Sequence, residues 1–186
     1  MVAELAVFPD FRPKHQTMKI INIFVPGILC LLFACGGKND TSDPILQIGL
    51  VCSDQEKSLH FYKNIIGMAE TGGFDVDGQF GTDSGLSDGK PFKVKLLKLV
   101  DSPTATTLKL ACCSDTTGTT YRFVTDSPGV RYLTFEVPST KAIKERLAQN
   151  QIPLLGKTPV SMGDDLELIL VRDPDGVFVE IIGGKN

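Results

Sequence analysis

The stretch LELILVRDPDGVFVEIIG, residues 166–183, decides how the rest of the chain is read. Two apolar runs flank Asp173-Pro174-Asp175-Gly176. Proline pre-sets φ at the second position of a turn, and glycine at the fourth tolerates the positive φ that closes it. The pattern predicts a β-hairpin. Side chains alternate along a strand, so on the second arm Phe178, Glu180 and Ile182 share one face and Val177, Val179 and Ile181 the other. The wholly aliphatic face predicts packing on a helix. The other face carries one carboxylate among apolar neighbours, and a charge in such a place needs a partner.

Upstream, one order of elements occurs twice. Residues 45–52 read as a strand with Ile48 and Leu50 on one side and Gln47, Gly49 and Val51 on the other. Ser53 with Glu56 predicts a capping box opening a helix, Leu59, Tyr62, Ile65 and Ile66 give that helix an apolar stripe, and Gly67 ends it. Residues 68–75 make a weaker strand, and the Gly-, Asp- and Ser-rich segment 77–90 reads as a loop. Strands follow at 92–100 and 106–112, so the first module is β-α-β-β-β over 45–113. A polar connector, 114–128, carries a short extended piece at 121–124. The pattern then restarts with a strand at 129–137, a helix at 140–150 with Ile143 and Leu147 inward, a short strand within 152–160, and the closing hairpin. The second module covers 129–183. The repeat lies in element order rather than residue identity, and it predicts an α+β fold built from two βαβββ modules.

Hydrophobic residues make up 42% and charged residues 22% of the 186, ordinary values for a globular protein. A net charge of −3 and the lack of any basic cluster with interleaved aromatics argue against a nucleic-acid partner. Met18-Lys19 precedes an apolar run from Ile20 to Phe33 and then Ala34-Cys35-Gly36-Gly37, the layout of a secretory signal. The run is short for a transmembrane helix, which needs about 20 apolar residues. Its ending, Leu32-Phe33-Ala34-Cys35, resembles a bacterial lipobox. That resemblance implies a signal peptide over 18–34, cleavage before Cys35, lipid attachment there, and a domain held at the cell envelope outside the cytoplasm. A plain signal peptide with an incidental cysteine is the alternative. Residues 1–17 then read as an over-extended reading frame, and 35–44, polar and rich in breakers, as a flexible tether.

Beyond the tether stand Cys52, Cys112 and Cys113. An oxidising compartment permits a disulfide, and an odd number leaves one thiol over or pairs it between molecules. No Cys-x-x-Cys or nearby histidine accompanies them, which argues against zinc. His15 precedes the expected start, and His60 reads as a surface residue in mid-helix.

Three phrases now combine: Gln47-Ile-Gly-Leu-Val51, Ser58-Leu-His-Phe-Tyr-Lys-Asn-Ile-Ile-Gly-Met68 and Asp173-Pro-Asp-Gly-Val-Phe-Val-Glu-Ile-Ile182. Together they resemble the vicinal oxygen chelate superfamily, which includes glyoxalase I, bleomycin-resistance proteins and extradiol dioxygenases, over nearly all of 45–184. The resemblance implies two βαβββ sheets facing each other around a cleft. Metal-using members draw cleft ligands, His or Gln, then Glu, then His, then Glu, from the first and last strand of each module. Carried onto this chain, those positions fall on Gln47, Lys109, Tyr132 and Glu180. An ammonium is a donor without a free lone pair, and a neutral phenol replaces imidazole poorly. Only Gln47 and Glu180 remain as ligands, fewer than divalent cations usually take, so no cofactor is favoured, with a divalent metal on those two as the alternative.

If the four positions converge as they do in the family, the Lys109 ammonium takes the place of the cation and pairs with Glu180, with Gln47 and Tyr132 hydrogen-bonding around them. A register slip that turns Lys109 to solvent is the other reading. The same topology makes the first and last strands of a module neighbours. A Cys52–Cys112 disulfide is then conceivable beside the preferred reading of two buried thiols, and Cys113 falls at the cleft edge. Arg122 is the best placed of Arg122, Arg131 and Arg172 to meet an anionic ligand. The resulting expectation is a lipid-anchored module that binds a small organic molecule in the cleft without turnover. The alternative is a metal-dependent lyase, isomerase or dioxygenase, of lactoylglutathione lyase or extradiol type, with an altered ligand set. Acid–base chemistry by Lys109 or Tyr132 is a third, opposed by the ion pair that would keep the lysine protonated. A homodimer is common in the family, and nothing in the sequence decides it.

Overall fold

The computed structural model describes residues 44–113 and 120–186. The signal segment 18–34, residues 1–17, lipidation at Cys35 and the tether up to residue 43 lie outside the described residues, as does the connector from 114 to 119.

In the first module the alternating apolar runs form β1 (Gln47–Cys52), β2 (Ala69–Val76), β3 (Phe92–Lys98) and β4 (Thr107–Cys112). The apolar stripe forms α1 (Gln55–Leu59), which widens into a π-helical continuation, His60–Ile66, and stops at Gly67 in the left-handed region. The second module has β5 (Tyr132–Ser139), α3 (Lys141–Gln149), β6 (Val160–Ser161), β7 (Leu166–Arg172) and β8 (Phe178–Gly184). Each module makes a four-stranded sheet of the same topology, β1-β4-β3-β2 and β5-β8-β7-β6, in which first and last strands are parallel and the rest antiparallel. The α+β fold of two βαβββ modules is therefore present. Both modules belong to one unit, residues 41–186.

Alternation sorts each sheet into a helix-side face and an open face. Ile48, Leu50, Leu108 and Leu110 back onto the first helix, while Leu133, Phe135, Val179 and Ile181 join Ile143 and Leu147 of α3. These two sets are one cluster, with Tyr62 fully buried between Phe61 and Phe135. Each fully buried aliphatic side chain stabilises by about 1.5–3 kcal/mol before entropy is counted.

The hairpin turn does more than reverse the chain. Gly176 adopts φ +89°, and Asp173 Oδ1 accepts from the backbone N–H groups of Asp175 and Val177. Its other oxygen accepts from the Tyr62 hydroxyl at 2.9 Å, across the module boundary. Asp175 accepts from the Ser53 backbone N–H at 3.0 Å and from the Ser58 hydroxyl at 3.1 Å, at the start of α1. At the other end of the same helix, Arg146 of α3 donates to the carbonyl oxygens of Ile65 and Ile66. Negative charge thus meets the helix N-terminus and positive charge its C-terminus, the arrangement the helix dipole favours. His60, expected at the surface, is exposed but also links the modules through Asn150 at 2.9 Å.

Three local readings are corrected. Ser53 is not the N-cap: Asp54 accepts from the Lys57 N–H at 3.1 Å, and Ser53 is taken by Asp175. Segment 77–90 is not a plain loop but holds α2 (Gly78–Ser84), capped by Asp77 and closed by Gly85 in the left-handed region. A Cβ on Gly78 would lie 2.4 Å from the Gly89 carbonyl oxygen, so this helix packs on its own returning chain only because glycine stands there. No strand forms at 121–124: irregular backbone there leads through Phe123 into a short 3-10 turn, Val124–Asp126. Of the two readings for the cysteines, the disulfide is the one observed: Cys52 and Cys112 are register partners with Cα atoms 4.7 Å apart, and they are bonded.

Two outcomes follow from this frame. The disulfide closes a loop with a sequence separation of 60, so reduction should lower the unfolding free energy by about 2–4 kcal/mol in denaturant titrations. An unchanged midpoint in dithiothreitol would contradict the bond. Burial, reinforced by Asp173, pushes the Tyr62 phenol well above its usual value of 10.0, whereas Ser127 and Arg131 hold Tyr121 below it. The folded state therefore keeps the Tyr62 proton more tightly than the unfolded chain. That contribution is complete below pH 10 and is lost as pH climbs past it. An ultraviolet titration should show Tyr121 ionising before Tyr62, which ionises only as the fold gives way. Tyr62→Phe should remove that late step and cost about 1.5–3 kcal/mol.

Candidate functional site

With the helix-side faces committed to the core, chemistry is left to the open faces and the seam between modules. β1 and β5 are edge strands, and two pockets lie where they meet. One, of about 200 Å³, is lined by Gly49, Leu50, Tyr121, Tyr132 and Phe178 among others. The second, of about 300 Å³, is lined by Leu46, Ile48, Leu99, Tyr132, Thr134 and Phe135. Tyr132 borders both and is 51% exposed.

A larger cavity, about 520 Å³, sits on the open face of the first sheet. Its floor is Gly49, Val51, Val94, Lys109 and Ala111, with Cys113 alongside. Phe74, Val76 and Phe92 continue the apolar wall, and the segment after α2, with Leu86, Ser87, Asp88 and Lys90, closes one side. The volume lies within the range of small-molecule sites. Lys109 is held by β4 between its register partners Gly49 and Leu96. Space beside it is open, since a Cβ built on Gly49 would meet nothing within 4 Å.

The structure separates the residues expected to converge. Lys109 and Gln47 share the open face of the first sheet, but Gln47 borders a different, shallow pocket with Lys98 and Ser102. Glu180 lies on the open face of the second sheet, paired in register with Thr134, whose hydroxyl donates to its carboxylate at 2.7 Å. The expected Lys109–Glu180 ion pair is absent: the ion pairs among the described residues are Lys57–Asp54, Lys63–Glu70, Lys95–Glu70 and Lys144–Glu167. Lys109 lies instead in the cavity on the first sheet, while the Glu180 carboxylate on the second takes the Thr134 hydroxyl. Nor does Lys109 turn to solvent through a register slip.

Arg122 stays exposed with its guanidinium 5.0 Å from the centroid of the Phe123 ring. Arg131 stacks over Tyr121, and Arg172 stacks over Phe178 while donating to the carbonyls of Tyr121, Arg122 and Gly176. Arg172 thus fastens the connector to the hairpin rather than standing free. No group of three or more His, Cys, Asp or Glu side chains converges among the described residues. Sequence reasoning missed α2, the helix that leads into the wall of Leu86 and Lys90. The signal was Asp77 and Gly85 bracketing a helix-length segment, obscured by the glycines inside it.

Comparison with known proteins bears on this geometry. The profile of the Glyoxalase/Bleomycin resistance protein/Dioxygenase superfamily matches residues 44–181. Among solved structures, a glyoxalase family protein from Bacillus cereus is 16% identical, covers 76% of this chain and 94% of its own, and has a TM-score of 0.62. A glyoxylase/bleomycin resistance protein/dioxygenase domain from Frankia sp. is 20% identical over 77% of this chain and 98% of its own, with a TM-score of 0.55. The trypanothione-dependent glyoxalase I of Leishmania major is 18% identical over 76% and 87%, with a TM-score of 0.50. At these identities the likeness is one of fold. No curated protein sequence matches the chain. The paired βαβββ sheets and a family match spanning both of them lead to one assignment: the chain belongs to the Glyoxalase/Bleomycin resistance protein/Dioxygenase superfamily.

Proposed function

We propose that this domain binds a small, largely apolar organic molecule in the cavity on its first sheet, without a tightly bound catalytic metal, while a lipid on Cys35 holds it at the cell envelope. One observation carries the binding reading. Where metal-using relatives place a carboxylate ligand, Lys109 stands in the floor of a cavity of about 520 Å³ walled by Val51, Phe74, Val94 and Phe92. A protonated amine repels a cation and offers it no lone pair. The remaining donors are two, Gln47 and Glu180, fewer than divalent cations usually take, and Glu180 accepts from the Thr134 hydroxyl. The donor set does not fit a divalent ion, so no step through a metal is drawn. Support for the anchor comes from the sequence: an apolar run that ends Leu32-Phe33-Ala34-Cys35, followed by polar residues before the first strand.

Elemental analysis after dialysis against zinc, nickel, manganese and ferrous salts should find far less than one ion per chain. A stoichiometric ion would overturn the metal-free reading. For the anchor, the full chain expressed in a bacterium should enter the detergent phase of a Triton X-114 partition, and Cys35→Ser should move it to the aqueous phase. Equal partition of the two would reject lipidation at Cys35.

A further inference from the structure

We propose that the cavity selects apolar monoanions, aryl or short alkyl carboxylates and sulfonates, with the Lys109 ammonium as their counter-ion; this rests on the binding reading above. Two ammonium groups, Lys90 and Lys109, and one carboxylate, Asp88, stand in the wall, and the rest of the lining is apolar or uncharged. None of these three is in an ion pair among the described residues. The wall therefore carries one net positive charge. Lys109 is the member rooted in the floor, half-buried, with open space above its neighbour Gly49.

That arrangement discriminates between ligand classes. A neutral apolar molecule filling the cavity would strip water from the Lys109 ammonium and return no acceptor, which is costly. A carboxylate or sulfonate on the same apolar body supplies the acceptor and a charge-assisted hydrogen bond. A second anionic charge would exceed the single net positive charge of the wall and meet the Asp88 carboxylate there, so compact polyanions such as phosphate are disfavoured. The apolar body is needed to fill the space between Phe74, Val94 and Leu86, and the single charge to satisfy Lys109.

The test uses the full chain in phospholipid nanodiscs and two probes of one shape, 1-naphthoate and its neutral amide 1-naphthamide. Titration calorimetry is corrected with empty nanodiscs. The wild type should bind the carboxylate at least about tenfold more tightly than the amide. Lys109→Met, which keeps length and loses charge, should abolish that ratio while binding the amide as well as or better than the wild type. Lys109→Arg should retain the preference, and thermal melts of both variants report whether the fold is intact. Equal affinity of the wild type for the two probes, or a preference that survives in Lys109→Met, overturns the anion assignment. Amide binding that disappears in Ala111→Trp keeps the cavity reading alive in that event. Binding of neither probe overturns both.

Discussion

The helix of the first module is gripped along its whole length by the second. Asp175 meets its N-terminus through Ser53 and Ser58, Asp173 takes the hydroxyl of Tyr62 in its middle, and Arg146 takes the last carbonyls, of Ile65 and Ile66. Signs are matched to the helix dipole at both ends. The central contact is the most demanding of the three. Burial raises the Asp173 carboxyl above the usual carboxylate range, although Tyr62 and the Val177 N–H pull the other way, and burial raises Tyr62 as well. Each group is tolerated inside because the other is there, and removing one leaves its partner dry and unsatisfied. The Asp-Pro-Asp-Gly turn is thus the clasp that sets the two sheets against each other.

Everything functional is arranged around that constraint. Because the helices occupy one face of each sheet and are locked together, the opposite faces and the β1–β5 seam are what remain for ligands. The two open faces differ in chemistry. On the second, Glu180 is quieted by the Thr134 hydroxyl beside it. On the first, Lys109 stands in a largely apolar cavity and forms no ion pair among the described residues. Tyr132 at the seam belongs to neither face's cavity but to the pockets between the modules. One fold thus offers an asymmetric pair of surfaces, an ammonium in the cavity of the first and a hydrogen-bonded carboxylate on the second.

Legibility in the sequence followed the range of each interaction. Strand alternation and the helical stripe are local, and they gave the twofold element order, the facing of Phe178, Glu180 and Ile182, and the companionship of Lys109 with Cys113. Gly67 and Gly176 were readable because their positive φ is a property of a few neighbouring residues. Parity names a face, though, and says nothing of what lies across a seam. The Tyr62–Asp173 contact joins residues 111 apart, and no periodicity announces it. The family resemblance, not parity, set Lys109 against Glu180, while the limit of local reading made Ser53 an N-cap when a distant aspartate had claimed it. α2 escaped for another reason. Its glycines lower intrinsic helix propensity, yet Gly78 is what lets the helix lie against Gly89, so tertiary approach outweighs propensity there.

The central claim is that the clasp makes the two modules one cooperative body. Native-state hydrogen exchange, resolved by residue, tests it most directly. The account predicts that the slowest amides of the first sheet, at Leu97 and Leu110, and of the second, at Ile169 and Ile181, open with a single free energy equal to that of global unfolding. If the amides of one sheet exchange with a markedly lower free energy than those of the other, the modules unfold separately, and the account is contradicted.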